Sequence, residues 1–380
     1  MLYMRQPFRL ANSTFRAGWC SWTSYSNRPL RISVVSGARA SSAFTALKSN
    51  ESNVSQALPP LKQPIAQLSN ASLIESVRTT IQLFLARCNI RAKFIPFDHA
   101  FYQQCLDAAA QGGFPMSSSS PFSMLTYLRK GTVYGATAGA HLDNPPLQTW
   151  LSLCTASFLF IDDIPKNLHW ELPSMRLFNQ RLVSGEKQGN VALDAVAGHL
   201  RRIPSVFGGP VSANLVTTSL LNAITGGVME WDNRDMKVSV SAEQYPSYLR
   251  SMSGIGVAYA IMAFPPDIPL EEYIQALPEI DLLTSMANDL LSFYKEELAG
   301  ERTNYIAILA ARQGISRIEA FEQVGDLCAK LFEKIVIILD DSNDGAPGFS
   351  RAREVFEQYV EGMVAFHLSC DRYRLMEVGL

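Results

Sequence analysis

Residues 288–296 read NDLLSFYKE, and the spacing of Asn288, Ser292 and Glu296 within that stretch decides its local structure. At about 100° per residue, steps of four advance the azimuth by only about 40°, so an amide, a hydroxyl and a carboxylate form one stripe about 12 Å long on one helix face. Asp289 and Lys295 flank the stripe, while Met286, Ala287, Leu290, Leu291 and Phe293 are apolar. The helix is therefore expected to be largely buried, where an unanswered polar stripe is costly. Oxygen donors at this spacing suit Mg²⁺, a hard cation that keeps water or substrate phosphate in its shell. A polar face turned to solvent is the alternative.

Outward from this stretch the chain reads as helix after helix. Leu73, Ile74, Val77, Ile81, Phe84 and Leu85 recur at the spacing of an amphipathic helix. Helical patterns continue over 100–112, 121–140, 147–163, 174–186, 190–203, 212–231, 244–263, 271–299, 303–312, 316–340 and 350–372, punctuated by Gly208-Gly209-Pro210, Pro265-Pro266 and Asp344-Gly345-Ala346-Pro347. No run of alternating strands and no repeat period appears, so the expected fold is all-α, a single large helical domain.

Composition narrows the function classes. Of 380 residues 47% are hydrophobic and 18% charged, enough apolar material for a large core and too much for a disordered chain. With 33 Lys+Arg against 35 Asp+Glu the net charge is −2, and no basic stripe with interleaved aromatics marks a nucleic-acid partner. The apolar run Trp150–Ile161 is short of the roughly 20 residues that span a bilayer, so no transmembrane segment is expected. Six cysteines without a CxxC pair and five histidines without an HExxH pair point to a reducing, intracellular (cytoplasmic) setting and no zinc site. Residues 1 to about 50 carry seven basic residues and no acid before Glu51, a composition like that of a transit peptide. A poorly packed extension is the alternative reading, and the chain divides into an N-terminal extension over 1–70 and a helical domain over 71–380.

A second acidic feature follows the apolar run: Asp162-Asp163-Ile164-Pro165. Two adjacent carboxylates at the end of a buried helix must face solvent or a cation. A divalent metal is one answer; a helix stopped by Pro165 with both acids in water is the other.

Together these segments resemble class I terpene cyclases, and among them the fungal trichodiene synthase group. NDLLSFYKE matches that family's (N/D)DxxSxxKE metal-binding motif, and YPSYLRSMSGIGVAYA at 245–260 and HLSCDRYRL at 367–375 resemble the corresponding segments of the group. The resemblance covers residues 70 to 380. It implies the class I terpenoid synthase bundle and three Mg²⁺ ions with bound diphosphate, one on Asn288, Ser292 and Glu296 and two on an aspartate-rich motif led by Asp162. It further implies that Lys295 and Arg250 contact the substrate diphosphate. Arg372 and Tyr373 match a C-terminal Arg-Tyr pair whose arginine binds diphosphate and pairs with Asp163 on closure. Ser253-Gly254-Ile255-Gly256 falls where the family breaks its central helix and turns carbonyls toward the cavity. The one departure is Lys166, which stands where a third acid is expected.

The implied activity is Mg²⁺-dependent cyclisation of farnesyl diphosphate to a cyclic C15 hydrocarbon or alcohol, and because the family often forms dimers a homodimer is compatible with it. The chemistry needs cations to neutralise the departing diphosphate and a dry aromatic cavity to hold the carbocation. Phe158, Phe160, Trp231, Tyr259 and Phe264 are candidate lining residues, an ordinary core role being the alternative. Two other readings remain: an isoprenyl diphosphate synthase, which lacks here its second DDxxD motif, and a catalytically silent prenyl-binding helical protein, which Lys166 favours.

Overall fold

A helix that is apolar nearly all round must be surrounded by other helices, and the run ending in Asp162-Asp163 is one. The computed structural model describes residues 70–207, 209–341 and 350–380; the N-terminal segment with its transit-like composition and the turn at 344–347 lie outside the described residues. In chain order the helices are α1 (Asn70–Arg87), α2 (His99–Gln111), α3 (Leu125–Thr137), α4 (Pro145–Asn167), α5 (Leu172–Ser184), α6 (Val191–Leu200), α7 (Ile203–Val206), α8 (Pro210–Asp232), α9 (Tyr245–Ser253), α10 (Gly256–Met262), α11 (Leu277–Ala299), α12 (Tyr305–Gln313), α13 (Arg317–Asp341) and α14 (Arg351–Ser369). Short 3₁₀ turns and loops join them; the described residues contain no strand, and no helix among them is long and apolar enough to cross a membrane. The five described cysteines are free and buried.

Local chemistry sets the ends of α4. Asn144 caps it by accepting from the Leu147 N–H at 3.1 Å, and Pro145 and Pro146 fill the first turn, where no amide is needed. Pro165 does not end the helix, contrary to the reading of a proline stop: α4 continues to Asn167, and the Leu168 N–H bonds to the Ile164 carbonyl at 2.8 Å. Ile164 and Pro165 are buried, and that packing offsets the roughly 3 kcal/mol a proline costs inside a helix. Asp162 and Asp163 thus sit on the last turn and a half of a continuous helix.

Glycines on α3 let it lie against α4. A Cβ at Gly131 would collide with the Ser152 carbonyl, and one at Gly135 with the Ser152 hydroxyl. Ser152 turns that hydroxyl back to the Gln148 carbonyl at 2.8 Å, which leaves no polar group loose in the contact.

Three sequence patterns are interrupted in the structure. The 244–263 pattern is two helices, α9 and α10, with Ile255 left-handed at φ 57° between them. The 271–299 pattern begins as a 3₁₀ turn at Leu270–Glu272 and becomes α-helical only at Leu277, where Pro278 occupies the first turn. The 350–372 pattern stops at Ser369, and Asp371–Tyr373 form a separate 3₁₀ turn that folds Arg372 toward α4. Gly131→Val tests the α3–α4 contact: forcing a branched side chain against backbone should destabilise the fold by about 3 kcal/mol, read as a lowered thermal midpoint.

Candidate active site

α3, α4, α8, α9, α10, α11 and α14 enclose a cavity of about 330 Å³. Its aromatic wall is Tyr134, Phe158, Trp231, Tyr259, Tyr305, Phe366 and Tyr373. Of the five aromatics expected there, Phe158, Trp231 and Tyr259 line it. Phe160 instead packs edge-on against Tyr127 at 5.5 Å, and Phe264 stacks on Tyr273 at 3.8 Å, so both belong to the core. Tyr134, Tyr305 and Phe366 are not marked by the sequence, because periodicity says that a helix face is buried but not whether it meets a neighbour or a void.

Asn288, Ser292 and Glu296 line the cavity along α11, each answered by a neighbour. The Ser292 hydroxyl donates to Glu296 Oε1 at 2.6 Å, and Lys295 Nζ donates to the same oxygen at 2.9 Å. Asn304 donates from Nδ2 to Glu296 Oε2 at 2.9 Å while its Oδ1 caps α12. Arg250 reaches across from α9: Nε to Asp289 Oδ2 at 2.7 Å, and Nη2 to the Ser285 carbonyl at 2.9 Å and to Asn288 Oδ1 at 3.2 Å. Burial works against the Arg250 charge, but Asp289 outweighs it and raises the guanidinium above its ordinary value.

His367, the first residue of the 367–375 segment but given no role from sequence, orients Asn288. Burial holds its imidazole neutral, at about 4, and its Nδ1–H donates to the Met363 carbonyl at 2.8 Å. Nε2 is then the acceptor for Asn288 Nδ2 at 3.1 Å, which turns Asn288 Oδ1 toward Arg250.

The opposite wall brings the aspartate pair to the C-terminal turn. Arg372 Nη2 lies 3.3 Å from Asp162 Oδ2 and 3.5 Å from Asp163 Oδ1. Burial opposes the Arg372 charge, and Asp163 and Asp162 more than offset it. Tyr373 is buried against His367, with ring centroids 4.3 Å apart. Lys166 pairs with Glu301 at 2.8 Å, so the lysine that replaces the third acid has its charge answered by the α11–α12 connection.

The donor set fits a hard cation. Among the described residues no group of three or more His, Cys, Asp or Glu is arranged to hold a metal, but amide, hydroxyl and carboxylate oxygens converge on α11, with the Asp162 carboxylate lining the same cavity. His367 and Met363 also line the cavity, and the His367 Nε2 lone pair is taken up by Asn288 Nδ2 at 3.1 Å.

The sequence model of trichodiene synthase matches residues 146–379. Alpha-cuprenene synthase COP6 of Coprinopsis cinerea is 32% identical over 303 residues, covering 80% of this chain and 90% of that protein. Longiborneol synthase CLM1 of Gibberella zeae is 30% identical over 225 residues, 55% of this chain and 61% of that one. Among solved structures, linalool/nerolidol synthase from Streptomyces clavuligerus, in complex with 2-fluorogeranyl diphosphate, superposes with a TM-score of 0.57 at 14% identity, covering 75% of this chain and 98% of its own. The architecture is the all-α bundle of class I terpenoid synthases.

Arg250 and Asp289 are 13% and 7% exposed, and removing one leaves the other buried and unpaired. Asp289→Ala should therefore cost about 3–5 kcal/mol in chemical denaturation. Asp232→Ala, which breaks the exposed Arg176–Asp232 pair, should cost less than about 1 kcal/mol.

Proposed function

As a member of the trichodiene synthase family the chain is a terpene synthase, and we propose that it ionises farnesyl diphosphate and cyclises the carbocation to a C15 hydrocarbon or alcohol, releasing diphosphate. The observation that carries this reading is the meeting of the Asn288, Ser292 and Glu296 oxygens with an aromatic-walled cavity. The products named for the two relatives, alpha-cuprenene and longiborneol, are C15 skeletons, which supports the fifteen-carbon substrate.

Five cationic side chains (Lys166, Arg234, Arg250, Lys295 and Arg372) and five acidic ones (Asp162, Glu230, Asp289, Glu296 and Glu301) line the cavity. With Glu230 raised to about 7 by burial, that balance leaves only a small surplus of positive charge for a diphosphate, which supports a requirement for divalent cations. Asn288, Ser292 and Glu296 would hold one Mg²⁺ and Asp162 would lead the set holding two more; when bound, the ions neutralise the charge that develops on the departing oxygens. Arg250, Lys295, Arg372 and Tyr373 donate hydrogen bonds to the same diphosphate, and Asp163 orients Arg372 for that contact. The aromatic wall excludes water and stabilises cationic carbons face-on, by about 0.5–2 kcal/mol per contact. The catalytic domain spans residues 71–380 and works in the cytoplasm, with a homodimer the assembly expected for it.

The test is incubation of the purified protein with Mg²⁺ and, separately, geranyl, farnesyl and geranylgeranyl diphosphate, followed by gas chromatography–mass spectrometry with an EDTA control. A metal-dependent cyclic C15 product is expected from farnesyl diphosphate; absence of product from every substrate would return the silent prenyl-binding reading. Asn288→Ala and Glu296→Ala should each lower turnover by about 100-fold or more with helical circular dichroism unchanged. Wild-type rates in either variant would remove the metal assignment.

A further inference from the structure

Four of the five acids that line the cavity are in ion pairs: Asp162 with Arg372, Asp289 with Arg250, Glu296 with Lys295 and Glu301 with Lys166. The fifth, Glu230 on α8, has no ion pair among the described residues; its carboxyl lies beside the Ser253 hydroxyl, which favours the ionised form. Gly226, one turn earlier on the same face of α8, meets the same place. A Cβ there would stand 2.8 Å from the Met252 carbonyl carbon and the Ser253 nitrogen, so the backbone of α8 lies directly against the end of α9.

The other side of this junction is held from α11. The Asp281 carboxylate lies against the first turn of α10, where a Cβ on Gly256 would collide with it and with the Asp281 carbonyl, and the Val257 N–H beside it favours the ionised form. Ser219 of α8 accepts from the next amide, Ala258, at 3.2 Å. Between the two anchors stands Ile255 at φ 57° and ψ 12°, a β-branched residue in the left-handed region, and it lines the cavity. That conformation costs about 1–3 kcal/mol and persists only where the surroundings over-determine it.

We propose that Glu230 and Asp281 are positioning residues that clamp the α9–α10 break from opposite sides and so fix where Ile255 stands in the cavity wall, which selects among cyclisation products. The inference rests on the cyclase reading. Both carboxyls are partly buried at the break, one beside a hydroxyl and the other beside a backbone amide. The carbocation is steered by contact with the wall alone, so a shift of well under 1 Å in Ile255 changes which double bond lies nearest the cationic carbon.

The experiment compares Glu230→Ala, Glu230→Gln, Ser253→Ala, the Glu230→Ala/Ser253→Ala double variant and Asp281→Ala with wild type. It reads farnesyl diphosphate turnover, KM, product ratios and hydrogen exchange of the 253–258 amides without substrate. Glu230→Ala and Ser253→Ala should each shift the ratio of minor to major product by about tenfold and speed exchange across the break, and the double variant should add nothing to either. Glu230→Gln, whose amide oxygen can accept from Ser253, should restore the wild-type ratio. Asp281→Ala should speed exchange at Val257. Ser253→Ala deletes a single oxygen and keeps the test open should Glu230→Ala fail to fold. Unchanged product ratios in an active background overturn product selection, and unchanged exchange overturns the clamp. Wild-type protein that turns over no prenyl diphosphate overturns the cyclase reading and product selection with it.

Discussion

A polar stripe runs along a buried helix, and each of its atoms has to find a partner away from water. The mouth of the cavity is organised by that constraint. Asn288 is held between Arg250 of α9 and His367 of α14, Glu296 takes Ser292, Lys295 and Asn304, and Asp289 takes Arg250. Leaving one such group unanswered would cost several kcal/mol, more if it is charged. The partners come from α9, α12 and α14, so satisfying α11 fixes where three other helices end and how they face the cavity.

How much of this is legible in the sequence follows from the range over which each interaction acts. A period of four places Asn288, Ser292 and Glu296 on one face without any knowledge of the rest of the chain, and alternating apolar stripes give the helices. The α9–α10 break is different. Apolar spacing over 244–263 runs straight through it, and the sequence marks it only by Ser253-Gly254-Ile255-Gly256 and the resemblance that placed a break there; the contacts of Gly226 on α8 and Asp281 on α11 with it come from residues tens of positions away. Pro165 is the reverse case: a local stop signal was overridden by burial of Ile164 and Pro165 among neighbouring helices. His367 reads as one more polar residue on a C-terminal helix until folding sets its Nε2 against Asn288.

Lys166 shows why a departure from a motif has to be weighed by place. The two walls of the mouth differ in dielectric. On the α11 side Arg250 and Asp289 are almost fully covered, so their attraction is little screened and their geometry is set before anything binds. On the α4 side Asp162 is 54% exposed and Lys166 48% exposed, and an ion pair in such surroundings contributes no more than about 1 kcal/mol. A lysine introduced on the buried side would need a full complement of partners; on the exposed side Glu301 and water suffice. A charge at 166 is therefore accommodated at little folding cost, and Arg372, not residue 166, ties the aspartates to the C-terminal turn.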